Sequence, residues 1–144
     1  MEGGLLAGLG SGLVYFALFF AAVGTATGVV AGWKKNDLAL LYTRILAVAF
    51  GVCAITANLV MVRALVTHDF RVSYVAEVGS VHTPLYFTIV SLWASLSGSI
   101  LLWAGVLGAY TIGLVLMMGR RHREYMTWTL AVLLSVCVFF GLLV

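Results

Sequence analysis

"WASLSGSILLW", Trp93 to Trp103, decides how the chain is laid out, because it lies inside an uncharged run from Pro84 to Gly119, 36 residues long. A bilayer-spanning helix needs about 20 apolar residues. The run is therefore too long for one span and barely long enough for two. Its interior holds Ser95, Ser97, Gly98 and Ser99 where a single span would have a leucine-rich middle. The best division is a short surface helix from Pro84 ("LYFTIVSLW"), a compact turn over Ala94 to Ser97, and one span from Gly98. Tyr86 and Trp93 suit the headgroup boundary, and Pro84 suits a helix start.

Working outward, the charges divide the rest. Of 144 residues, 63% are hydrophobic and 9% charged. That is too little charge for a water-soluble domain and indicates an integral membrane protein. No basic patch with interleaved aromatics points to nucleic acid. Gly3 to Trp33 carries no charge, "KKND" follows at Lys34 to Asp37, and Ile45 to Val62 is clean between Arg44 and Arg63. "RRHRE" at Arg120 to Glu124 precedes the last apolar run. The fold class expected is all-α and polytopic. Four transmembrane helices lie at about 8–32, 43–65, 98–119 and 125–144, with an outer loop and interfacial helix over 66–97.

Lys34, Lys35, Arg44, Arg120, Arg121 and Arg123 cluster on the first and third connections, against Arg63 and Arg71 near the middle one. This bias places the first and third loops in the cytoplasm and the N-terminus outside. "MEGGLLAGLGSG" lacks a basic segment before its apolar run, so it reads as an anchor rather than a cleaved leader. The chain stops at "VFFGLLV" without flanking anchors. Either Val144 lies at the outer surface or, as the missing anchor favours, the chain is part of something longer.

Gly24, Gly28 and Gly32 share one face of the first helix and predict close helix packing; Gly8 and Gly12 repeat the spacing. Asn58 is read as an interhelical hydrogen bond, with a ligand contact as the alternative. Arg63 either extends to the interface or holds a carboxylate or propionate. Cys53 and Cys137 have no partner at short spacing and read as small hydrophobes. No catalytic or metal-binding set is evident. His68 and His82 flank the outer loop and His122 lies in the basic cluster. No histidine falls within a proposed span, so none is expected to be an axial haem ligand. In "DFRVSYVAEV", alternation of Phe70, Val72, Tyr74, Ala76 and Val78 suggests an extended segment with one covered face.

The stretch His68 to Trp103 resembles the CcmF-type cytochrome c haem lyases, including the NrfE proteins. That family reads N-D-F-x-V-x-Y-V-A, then L-P-x-x-Y, then W-x-x-x-E-G-S-L-L-L-W. Asp69, Phe70, Val72, Tyr74, Val75, Ala76, Pro84, Leu85, Trp93, Gly98, Ser99, Leu101, Leu102 and Trp103 carry the match. Ser97 stands where the family has Glu. The outward N-terminus, the Gly-rich first helix and the basic loop after it also fit, so the resemblance extends over the whole chain and implies its N-terminal portion.

The resemblance implies a role in cytochrome c biogenesis, with haem joined to apocytochrome c on the outer side of the cell membrane. Apocytochrome c and haem-delivery membrane and periplasmic proteins are the implied partners. Arg63, Trp93, Gly98, Ser99 and Trp103 are the outer-face candidates for contact with haem. Asp69, Phe70 and Tyr74 are the candidates for contact with a partner. The family's W-x-W-D segment and haem-ligand histidines lie further along its longer chains, and neither occurs here. A non-catalytic interaction subunit and a quinone- or haem-binding redox subunit remain the alternatives.

Overall fold

The computed structural model describes residues 2–66, 85–118 and 122–144. They form α1 (Glu2–Lys34), α2 (Asp37–Val66), α3 (Leu85–Ala94), α4 (Leu96–Met118) and α5 (Arg123–Leu143). Four of these contain apolar stretches long enough to cross a membrane: Gly8–Lys34, Asp37–Val66, Gly98–Met118 and Arg123–Leu143. The first two helices run well beyond the spans inferred from hydropathy. Hydropathy marks the part of a helix that suits lipid, whereas the helix itself continues until a cap or breaker stops it. At about 1.5 Å per residue, α1 and α2 both exceed a hydrocarbon core of roughly 30 Å.

Two residues join α1 to α2, so the helices must be antiparallel neighbours. Lys35 takes a left-handed backbone angle (φ 49°) that ends α1. Asn36 then caps α2: its Oδ1 accepts the Leu38 N–H at 2.9 Å and its carbonyl accepts the Leu40 N–H at 3.1 Å. Asp37 follows in the first turn, where a carboxylate suits the helix dipole.

The four long helices close a ring in which α1 packs on α2 and α5, and α4 packs on α2 and α5; α3 lies against α4 and α2. The core within the ring is rich in small side chains. Ala17, Ala21, Ala47 and Ala54 surround Phe50, Met126, Leu130, Leu134 and Cys137. Small residues let backbones approach, which substitutes for the hydrophobic drive that lipid does not supply.

Two glycine seams result. Along α1, a Cβ on Gly24 would come within 2.8 Å of Leu134, on Gly28 within 3.0 Å of Ala131, and on Gly32 within 2.8 Å of Trp128. The face inferred from the spacing of Gly24, Gly28 and Gly32 is thus the α5 contact. Gly8 and Gly12 behave differently: a Cβ on either would meet nothing within 4 Å. The second seam joins α2 to α4, where a Cβ on Gly51 would lie 2.7 Å from the Gly108 carbonyl oxygen. That crossing had no signal in spacing, because each helix contributes one glycine at the point of closest approach.

Outward faces are apolar as well. Phe16, Phe19, Ile45, Leu59, Leu116, Met117 and Phe139 are all exposed. A helix that is apolar all round requires a nonpolar solvent.

Candidate functional site at the corner of α3 and α4

The expected four-residue turn over Ala94 to Ser97 is shorter than anticipated: only Ser95 interrupts the helical backbone, and α4 resumes at Leu96. Ser95 achieves this by capping. Its Oγ accepts the Gly98 N–H at 3.1 Å, while its carbonyl accepts the Ser99 N–H at 2.9 Å. The serine side chain thus satisfies one of the donors that a helix start leaves over, while its carbonyl accepts the first bond of the new helix. Ser99 turns its hydroxyl back to the Leu96 carbonyl at 2.9 Å. Gly98 is buried in this first turn. The role of Ser95 was legible in "S-L-S-G", an N-cap residue three places before the residue it binds, but the reading above assigned it to a turn.

The corner brings Trp93 and Trp103 together. Their ring centroids are 6.2 Å apart with planes tilted by 47°. Both remain substantially exposed, 64% and 49% respectively. Tyr86, Phe87 and Val90 continue the exposed apolar surface along α3. Trp93 and Trp103 thus meet at the corner whose first α4 turn holds Gly98 and Ser99. Arg63 lies in the last turn of α2 with an exposed side chain, on the element that α3 packs against. Asp69, Phe70 and Tyr74, the alternating segment 70–78, and His68 and His82 lie outside the described residues.

Asn58 fixes the start of α4 against α2. Its Nδ2 donates to the Leu101 carbonyl at 2.8 Å and to the Ala54 carbonyl in its own helix at 2.9 Å. This is the interhelical bond expected of it. Space for the amide exists because residue 105 is glycine; a Cβ there would run into the Asn58 amide nitrogen. Asn58 Oδ1 is buried without a protein partner. Gly105 and Gly51 are the residues that sequence reasoning missed here.

The N-terminal part of α1, the C-terminal parts of α2 and α5 and the start of α4 border a crevice of about 450 Å³ lined by Gly10, Val14, Ala57, Val60, Leu101 and Gly141. At the opposite end of the bundle, the charged residues form interhelical ties. Lys35 Nζ is 2.9 Å from Glu124 Oε1, and Arg123 Nη1 is 2.6 Å from Asp37 Oδ1. Arg44 donates to the Val115 carbonyl at 3.3 Å, helping to close the C-terminal turn of α4. Among the described residues, no group of three His, Cys, Asp or Glu side chains is placed to hold a metal ion. Cys53 and Cys137 are free thiols.

Four apolar helices, each long enough to span a bilayer and apolar on its outer faces, define a multi-pass helical membrane protein. No family model matches the chain. It is nevertheless similar in both sequence and fold to one segment of the CcmF-type cytochrome c haem lyases. The cytochrome c-type biogenesis protein CcmF of Escherichia coli is 27% identical over 137 residues, which are 94% of this chain and 21% of that protein. CcmF of Pseudomonas aeruginosa is 30% identical over 126 residues, 82% of this chain and 18% of that protein. A solved cytochrome c haem lyase CcmF superposes with a TM-score of 0.85 at 34% identity, covering 94% of this chain and 23% of the other. The chain thus spans about a fifth of the length of the relatives it matches. The family resemblance seen in the motif residues extends to nearly the whole chain.

Proposed function

We propose that the chain serves cytochrome c maturation as a membrane scaffold of a CcmF-type haem lyase. The observation that carries this is the fold match across 94% of the chain at 34% identity. The six-to-two distribution of Lys and Arg supports placement in the cell membrane with the N-terminus and the α3–α4 corner outside. In this reading haem and apocytochrome c are substrates of the complete lyase, assembled with its haem-delivery partners.

The corner suits a supporting role. Two exposed indoles and an apolar helix face offer flat contact surface. The contribution assigned to Trp93, Gly98, Ser99 and Trp103 is therefore geometric. Joining haem to thiols depends on holding the reactants in attack position, and a rigid wall beside them contributes to that.

The test is holocytochrome c yield in a strain dependent on the full-length protein, normalised to its membrane level. Gly98→Leu forces a large side chain into the buried first turn of α4 and is expected to lower yield while membrane insertion persists. Trp103→Ala is expected to lower it too. Full yield from both variants would remove the corner from the working surface.

A further inference from the structure

At the bundle end opposite Trp93 and Trp103, α1 and α5 border a cavity of about 430 Å³. Gly32, Lys35, Arg123, Glu124, Tyr125 and Trp128 are among the residues that line it. Its position suits a lipid headgroup. It lies where the apolar spans give way to charge, and Trp33, Tyr42, Tyr125 and Trp128 are all exposed at this end. Such aromatics mark the level of the headgroups. The absence of a side chain on Gly32 leaves the Trp128 ring room to lie against α1.

The charges at this end do not cancel. Lys34, Lys35, Arg44 and Arg123 stand against Asp37 and Glu124, an excess of two positive charges among the described residues. Arg120 and Arg121 add to it in sequence. The two cations that line the cavity are tied to each other through the chain, because Arg123 Nη2 donates to the Lys35 carbonyl at 2.7 Å. That bond keeps the guanidinium beside the lysine that follows α1. Lys35 is also in a left-handed conformation, so its side chain departs from the helix end rather than continuing along it.

From this arrangement we propose that the cavity binds the headgroup of an anionic phospholipid, with the phosphate between Lys35 and Arg123 and the glycerol region against Tyr125 and Trp128. A pocket between spans, at a bundle end with excess positive charge, has the position for such a ligand. Glu124 lines the same cavity and holds Lys35 at 2.9 Å. Asp37 Oδ1 likewise lies 2.6 Å from Arg123 Nη1. The lipid phosphate therefore competes with the Glu124 carboxylate for the lysine and with the Asp37 carboxylate for the arginine. The excess positive charge of this bundle end, carried by Lys34 and Arg44 outside the cavity lining, favours phosphatidylglycerol over a zwitterionic lipid.

This competition yields a test with opposite signs. The full-length protein, purified in neutral detergent, is mixed with phosphatidylglycerol, phosphatidylcholine or inorganic phosphate. Retained lipid is counted by native mass spectrometry and melting temperature is recorded in parallel. Phosphatidylglycerol is expected to be retained and to raise the melting temperature above the phosphatidylcholine value. Lys35→Gln and Arg123→Gln should each weaken retention about fivefold, the worth of one cation near a membrane surface. Glu124→Gln should strengthen retention, which a loss of folding cannot imitate. Equal retention of the two lipids overturns the proposal, as does weaker retention in Glu124→Gln. Equal stabilisation by inorganic phosphate would make the cavity a free-anion site and overturn the lipid assignment.

Discussion

Asn58 and Gly105 act as a pair. The amide reaches across from α2 to the Leu101 carbonyl only because residue 105 has no side chain. Gly105→Ala should therefore destabilise the α2–α4 contact, and Asn58→Ala in the same chain should relieve it. Asn58→Ala alone should cost about 1 kcal/mol or less, the usual size of an interhelical hydrogen bond in a bilayer. Melting temperatures of the three variants in detergent check this as a double-mutant cycle. Additive losses would show that the two residues do not share a site. Gly51 is less forgiving, since its neighbour is the Gly108 carbonyl oxygen rather than a movable side chain. Gly51→Val should be worse than Gly105→Ala, and Gly8→Ala should be silent.

At the scale of elements, α3 and α4 are two helices because Ser95 starts the second one. Removing its hydroxyl deprives the Gly98 N–H of its partner, a loss of about 1 kcal/mol for an N-cap. Ser95→Ala should loosen the corner and disturb the Trp93–Trp103 contact, with Ser95→Asp restoring both. Near-ultraviolet circular dichroism reads the coupling of the two indoles, and Trp93→Phe supplies the spectrum without it. An unchanged spectrum in Ser95→Ala would mean that helix packing alone sets the corner. Where the structure differs from the expected four-residue turn, the cause is this same hydrogen bond. Small polar residues signal an interruption, but how many residues it takes depends on which hydroxyl faces which N–H.

For the whole molecule, the charge bias carries a topology that labelling can check. In a background without Cys53 and Cys137, cysteines at Lys35 and Arg121 are expected to react only from the cytoplasm, and one at Glu77 only from outside. Reaction of Glu77→Cys from the cytoplasm would invert the scheme and with it the placement of the α3–α4 corner. The ring of helices is consistent with an alternating path through the bilayer, as the two-residue link at Lys35 and Asn36 forces α1 and α2 to run antiparallel.

The four spans were already legible in the sequence, as was the packing face of Gly24, Gly28 and Gly32. Apolar length answers directly to bilayer thickness, and a repeat of four residues keeps one face of a helix in register. The resemblance to the haem lyases was legible too, because contiguous motif residues carry it. Asn58 disclosed that it would bond across helices, though not to which carbonyl. What the tertiary structure alone decided were the meetings between distant residues: Gly51 with Gly108, Asn58 with Leu101 and Gly105, and Lys35 and Asp37 with the start of α5. None of these follows from periodicity. In a bilayer the outer and inner faces of a helix are both apolar, so the pattern that reveals the buried face of a soluble helix is missing. Neighbours are then chosen by shape, small residue against protruding one, and that complementarity exists only once the helices are placed side by side.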